Sequence, residues 1–153
     1  MSAAATPAST LVIPTRLFGP LEVPSDRLVT FPDGLPGFAG ERRFVLLATP
    51  SPSVTWLQSA DDSLLAFLCV DPFVACPGFE LDLPDDAWDA AEPPLVLAIV
   101  TLPREHGDAP SANLQAPLLL DLAARSGQQV LLADAGYPCR APLDLDAELA
   151  RRA

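Results

Sequence analysis

The chain has 153 residues, and its 20 acidic side chains outnumber its nine basic ones to give a formal net charge of −11 at pH 7. Every basic residue is arginine. Because the net charge is negative, the overall field repels nucleic-acid phosphates and anionic membranes and attracts a basic protein partner. Acidity also keeps a protein soluble, so net charge alone does not establish a binding role.

The predicted elements are short, because 18 prolines divide the chain and proline is poorly tolerated inside helices and central strands. The predicted strands are Thr15–Val23 with a turn or bulge at Gly19-Pro20, Leu28–Phe31, Phe44–Leu47, Val54–Ser59, Leu64–Val70, Phe79–Leu83, Leu95–Leu102, Pro117–Leu120 and Gln129–Leu132. The last two are expected to pair. The predicted helices are Asp85–Glu92 and Asp146–Arg152, the latter capped by Asp144 or Asp146.

Short strands joined by Pro/Gly turns favour a single, mainly β domain built as a barrel or a sandwich, with one or two short helices. We expect residues 1–10 to form a disordered lead-in, residues 11–145 the β domain, and residues 146–153 a short C-terminal tail or helix. A chain of this length buries enough surface to fold without a disulfide or a metal.

The segment Asp33 to Phe38 is dense in turn residues. A phosphate-binding loop would need a strand-loop-helix context and usually a lysine, and prolines remove backbone N–H donors. The sequence therefore predicts a rigid structural turn, whose residues are Gly34, Pro36, Gly37 and Phe38.

The segment Phe79–Leu83 alternates apolar and acidic residues, which predicts that Glu80 and Asp82 face away from the core. It begins the densest run of charge in the chain, formed by Glu80, Asp82, Asp85, Asp86, Asp89 and Glu92. Two interpretations remain open for this run, namely a solvated acidic face and a docking site for a basic partner.

A second unusual segment places two amides, Asn113 and Gln115, just before a buried strand. Such amides either pin a turn by hydrogen bonding to the backbone or contact a partner. The sequence leaves both roles open.

Nothing in the sequence points to catalysis, a metal or a cofactor. The single histidine, His106, lies in a polar loop, and no hydrolase, metalloprotease or nucleotide-binding motif is present. The three cysteines lack metal-site spacing, and Cys69 and Cys76 have apolar neighbours typical of inert buried thiols. No signal peptide or membrane-length apolar run is recognisable, so we expect a cytoplasmic protein.

Several segments, in order along the chain, together resemble the FliW family of flagellar assembly factors. They are Phe18–Val23, Phe31–Phe38, Asp71–Phe73, Pro77–Pro84, Asn113–Leu118, Gln129–Leu132 and Tyr137–Pro138. The sequence departs from the family pattern at two positions, with Ala39 where an acid is usual and Asp121 where an amide is common.

The resemblance implies a small, barrel-like, mainly antiparallel β fold and a non-enzymatic role in flagellum assembly. It implies two protein partners, flagellin and the RNA-binding translational repressor CsrA, whose repression the protein would relieve. We expect a monomer that contacts neither nucleic acid nor membrane and uses no cofactor. The candidate partner-binding residues are Phe79, Glu80, Asp82, Asn113 and Gln115, with Phe79-Glu80 expected at the CsrA contact.

Two other hypotheses remain at this point. A small-molecule enzyme or ligand-binding barrel would need a pocket with convergent polar groups, and a filled interior would count against it. An assembly protein that oligomerises through exposed strand edges would not be monomeric.

Overall fold

The computed structural model describes residues 9–35, 37–83, 86–105 and 108–152. The strands of that part of the chain are β1 (Thr10–Ile13), β2 (Leu21–Pro24), β3 (Leu28–Thr30), β4 (Arg43–Ala48), β5 (Val54–Ser59), β6 (Ala66–Val70), β7 (Leu95–Thr101), β8 (Ser111–Ala112), β9 (Leu118–Asp121), β10 (Ser126–Gln129) and β11 (Ala141–Pro142). The helices are α1 (Pro72–Ala75) and α2 (Leu145–Ala150), and one 3₁₀ turn covers Ser25–Arg27.

Seven of these strands close into a barrel. Their order is β7-β6-β5-β4-β3-β10-β9, and β9 pairs again with β7 to complete the ring. Every neighbouring pair is antiparallel except β3 and β10, which run parallel. The expected mainly β, barrel-like fold with two short helices is therefore confirmed, and closure leaves the ring itself without a free edge strand.

The barrel interior is filled with apolar side chains. Alternation along each strand sends one set of residues inward, and this set forms a cluster of Val29, Phe31, Leu35, Phe44, Leu57, Cys69, Leu97, Leu118 and Leu120. Phe44 shows the alternation on β4, because it points inward while its neighbour Val45 packs outside against Ile13 and Val23 of the β1–β2 hairpin.

A second core covers another part of the outer face of the barrel. Outward residues of β5, β6 and β7, such as Val54, Val70 and Ala98, pack beneath the segments that follow α1 and β10. Helix α2 is fixed nearby through Glu148, which is only 4% exposed. The Oγ of Ser53 donates to its carboxylate at 3.0 Å, and the Oγ of Ser51 donates to its backbone carbonyl at 2.6 Å.

Most predicted strands are present. Leu28–Phe31, Phe44–Leu47, Val54–Ser59, Leu64–Val70, Leu95–Leu102 and Pro117–Leu120 correspond to β3, β4, β5, β6, β7 and β9. The C-terminal helix is confirmed, with Asp144 as its cap, since its Oδ1 accepts from the Ala147 N–H at 3.1 Å. The pairing of the two last predicted strands is also confirmed, although β10 begins at Ser126, before the predicted Gln129–Leu132.

The predicted strand Thr15–Val23 is wrong over its first half. Thr15–Pro20 forms a turn in which the Thr15 hydroxyl donates to the Gly19 carbonyl at 2.7 Å and accepts from the Phe18 N–H at 2.9 Å. Strand β1 lies before this turn and begins at Thr10, the last residue of the predicted lead-in. The turn pairs β1 with β2, a contact that alternation did not reveal.

Two further predictions near the acidic run are wrong. Phe79–Leu83 joins no ladder, and the Glu80 N–H donates to the Tyr137 hydroxyl instead of a strand. The described part of Asp85–Glu92 is not helical, since its carbonyls accept from side chains: the Trp88 indole donates to Glu92 and Gln128 donates to Ala87.

The shortest ladder of the barrel is its parallel one. Strands β3 and β10 pair only at Thr30 and Ser126, and the barrel there is sealed by a side chain instead of a ladder. The fully buried ring of Phe31 lies over Gly127, where a Cβ would come within 2.6 Å of two ring carbons. Gly127 is therefore required by packing and not by backbone conformation.

We expect Gly127→Ala to lower the free energy of unfolding by about 1–3 kcal/mol, because the added methyl forces Phe31 out of its position. Urea denaturation of the purified variant measures the change. Gly40→Ala is the matched control, since a Cβ at Gly40 meets nothing within 4 Å. Equal stability of the two variants would contradict the proposed seal.

Candidate protein-binding site

The segment that begins at α1 holds Phe79 in a cluster of three aromatic rings. The Asp71 carboxylate caps α1 by accepting from the Phe73 N–H at 2.9 Å. The chain then turns back at Gly78, whose φ of +89° favours glycine. Phe79 is 6% exposed, and its ring lies 5.2 Å from that of Phe73 and 5.0 Å from that of Tyr137. Phe79 is thus a core residue, as alternation predicted.

Glu80 and Asp82 project from this anchored segment into solvent. Their side chains are exposed, while Leu81 and Leu83 are partly buried against the outer core. The Glu80 N–H donates to the Tyr137 hydroxyl at 2.8 Å, which fixes the backbone at the point where the carboxylate leaves the surface. The predicted alternation of burial is therefore confirmed, although aromatic packing maintains it in place of a strand ladder.

The acidic run continues as an exposed surface. Asp86, Asp89 and Glu92 are exposed, and Asp85 lies outside the described residues. In the described part of the chain the two ion pairs, Arg43 with Asp61 and Arg151 with Glu148, involve none of the acids between Glu80 and Glu92. The carboxylates of Glu80, Asp82, Asp86, Asp89 and Glu92 are therefore available to a cation from another molecule.

Asn113 pins a turn within an interrupted strand. Its Oδ1 accepts from the N–H groups of Gln115 and Ala116, each at 3.1 Å. The turn joins β8 to β9, and both strands lie along the same side of β7. From Ala112 to Leu118 the chain advances six residues while its β7 partners, Val100 and Leu97, are three apart, so the turn accommodates three extra residues.

The two amides of this turn have different surroundings. The Asn113 side-chain oxygen accepts hydrogen bonds from the backbone, which is one of the two roles left open by the sequence. Gln115 is bound through its main-chain carbonyl, which accepts from the Leu132 N–H at 2.7 Å. Both side chains are half-buried, and they belong to a different stretch of chain from Glu80 and Asp82.

The predicted turn at Asp33–Phe38 has the backbone that its glycines allow. Gly34 has a φ of +66°, and a Cβ there would lie 2.6 Å from the Ala39 carbonyl oxygen. Gly37 has a φ of +82°, and the Phe38 N–H donates to the Leu35 carbonyl at 2.7 Å. Pro36 and His106 lie outside the described residues.

Three aromatic rings near these segments were not predicted as partner-binding residues. Phe38 is 41% exposed, and its ring lies 5.4 Å from that of Phe67. Phe73 is 48% exposed beside Phe79, and Tyr137 holds the Glu80 backbone. Phe73 and Tyr137 lie in the segments Asp71–Phe73 and Tyr137–Pro138, but sequence spacing gives no sign that they meet at Phe79.

Burial raises the pKa of two of the three thiols. The one fully buried thiol, Cys69, lies in the barrel interior, where burial raises its pKa to about 12. Burial and, to a lesser extent, the Glu148 carboxylate raise the pKa of the Cys76 thiol. Within the described ranges, no three Cys, His, Asp or Glu side chains come together as a metal site, and no helix has the length and apolarity to span a membrane.

Comparison with known proteins identifies the fold and its family. The model of the FliW protein family matches residues 12–143. The flagellar assembly factors FliW of Caldicellulosiruptor saccharolyticus and Treponema pallidum are each 36% identical, over 84% and 92% of this chain and 88% and 95% of their own. The factor of Moorella thermoacetica is 38% identical over 82% of this chain and 84% of its own.

A solved structure agrees with these relatives. The crystal structure of a flagellar assembly factor FliW superposes with a TM-score of 0.78 at 31% identity, covering 86% of this chain and 96% of that one. Fold and sequence together define a small, closed β barrel of the kind found in flagellar assembly factors. The chain belongs to the FliW family.

We expect Asn113→Ala to lower the free energy of unfolding by about 1–3 kcal/mol, because two backbone N–H groups lose their acceptor. Thermal and urea unfolding measure the loss. Asn113→Asp is the control, since it keeps an oxygen at the same position. An alanine variant as stable as the wild type would show that the turn does not depend on this side chain.

We also expect the three thiols to react with a disulfide reagent in order of exposure. Cys139 is exposed and should react at once, Cys76 is partly buried and should react slowly, and Cys69 should react only in denaturant because its thiol stays protonated inside the barrel. Cys139→Ser should remove the fast phase. A Cys69 adduct in the native protein would contradict a closed interior.

Proposed function

We propose that the protein is a non-enzymatic, monomeric, cytoplasmic flagellar assembly factor that binds flagellin and a CsrA-type RNA-binding repressor. By binding the repressor it relieves repression of flagellin synthesis, and so couples that synthesis to assembly. Family membership supports the assembly role. The acidic exposed surface supports a basic protein partner over a nucleic acid or an anionic membrane.

One observation carries the assignment of the repressor site. Glu80 and Asp82 are exposed on a backbone that Phe79 and Tyr137 fix, so the backbone there has little freedom to lose on binding. Asp86, Asp89 and Glu92 extend the same sign of charge along the chain. This pre-organised acidic surface is complementary to the basic surface of an RNA-binding protein.

The alternative of a small-molecule-binding barrel or enzyme is less well supported. The interior that such a protein would use for its ligand is occupied by the side chains of Phe31, Phe44, Leu57 and their neighbours, which are fully buried. A ligand barrel needs an interior cavity with a few convergent polar groups.

Binding is tested directly by mixing the purified protein with flagellin and with the CsrA-type repressor of the same organism. Size-exclusion chromatography with light scattering should show a complex with each partner and a monomer for the free protein. A folded protein that binds neither partner would refute the proposed function, and a dimer in the free state would refute the monomer.

We expect Glu80→Arg to weaken the repressor complex by about tenfold or more, because a cation replaces a carboxylate that faces basic surface. Isothermal titration calorimetry measures the affinity. Glu22→Arg is the matched control, since Glu22 is an exposed glutamate on the β1–β2 hairpin and the net charge changes equally. Equal affinities for the two variants would remove Glu80 from the site.

A further inference from the structure

The segment that runs on from β10 presents hydrogen-bonding groups on the side away from β9. The N–H groups of Val130 and Leu132 donate to the carbonyls of Pro117 and Gln115 at 3.0 and 2.7 Å, which continues the β9–β10 register. Hydrogen-bonded pairs alternate in an antiparallel ladder. The N–H and C=O groups of Gln129 and Leu131 therefore point to the opposite side.

In the described ranges, no strand lies along that opposite side. Strand β3 pairs with β10 only at Ser126, and after Thr30 the chain leaves for the Asp33–Phe38 turn. Among the residues that the structure describes, Leu131 has no backbone hydrogen bond, and its side chain is 63% exposed. The barrel is closed at Ser126, but the continuation through Leu131 is an open strand edge.

A groove of about 290 Å³ lies at the Gln129 end of this edge. One wall consists of Gln128 and Gln129, and the other of Asp33, Gly34, Leu35, Gly37 and Ala39. Asp33 is exposed on that wall, and the described residues that line the groove include no arginine, in a chain without lysine. The groove thus combines a row of main-chain groups with one sign of charge.

We propose that the open edge from Gln129 to Leu131 binds an extended segment of flagellin as an added strand, with a basic side chain of that segment beside Asp33. Strand addition takes its affinity from main-chain hydrogen bonds and needs only an extended segment, not a folded complementary surface. The charge of the groove selects a lysine or arginine near the point where the segment passes the turn.

This inference rests on the proposed binding of flagellin and adds the site and the mode of recognition. It uses a different set of residues from Glu80 and Asp82. The two partners are thereby recognised by different chemistry, the repressor through acidic side chains and flagellin through the main chain.

Amide hydrogen exchange, followed by NMR on the wild-type protein, tests the proposal. Addition of flagellin should slow exchange at Gln129 and Leu131 by about tenfold or more, while Val130, already bonded to Pro117, should change less. If flagellin binds and these two amides do not change, the edge is not the site, although the proposed function stands. If flagellin does not bind, the flagellin part of the proposed function fails, and this inference fails with it.

Leu131→Pro provides an independent test, because proline removes an N–H that the β9 ladder does not use. We expect about tenfold weaker binding of flagellin and unchanged binding of the repressor. Leu131→Ala is the control that keeps the N–H group and should bind flagellin almost as well as the wild type. Equal loss in both variants would assign the effect to the leucine side chain and overturn main-chain recognition. Retained binding in a folded proline variant would also overturn it.

Discussion

Strand β7 must be paired along both sides for the barrel to close. Strand β6 pairs with one side, and β8 and β9, which together form one interrupted strand, pair with the other. Strand β9 pairs with residues 95–97 of β7 and closes the ring, and β8 pairs with residues 100 and 101 and leads to β11 outside it. An uninterrupted strand would keep one register along β7. The turn held by Asn113 absorbs three residues between β8 and β9, so the same stretch of chain serves both the barrel and its outer layer.

The outer layer carries the acidic segment that we propose as the repressor site. That segment has no strand partner, yet Phe79 is as well buried as a ladder residue. Aromatic pairs contribute about 0.5–1.5 kcal/mol each beyond the area that they bury, and Phe79 makes two of them, with Phe73 and Tyr137. The backbone is therefore fixed while every second side chain remains free for a partner.

The weakest contact of the barrel and its open edge have a common origin. Strands β3 and β10 run parallel and separate after one pair, where Phe31 packs on Gly127 and seals the interior. Beyond that point β10 continues against the residues before β9, with its other side facing a groove. If β10 ended where its pairing with β3 ends, the barrel would have no such open edge.

The sequence by itself determined the fold class, most strands, the C-terminal helix and the alternation that exposes Glu80 and Asp82, because these depend on local periodicity and on proline and glycine positions. The ordered family segments also identified the family. Only the tertiary structure decided that Phe79–Leu83 forms no ladder and that Asp86–Glu92 is not helical, because the Tyr137 hydroxyl and the Gln128 amide bind those backbones. The partners of a backbone group that lie far along the chain leave no local signal, and here they determine which surfaces remain open.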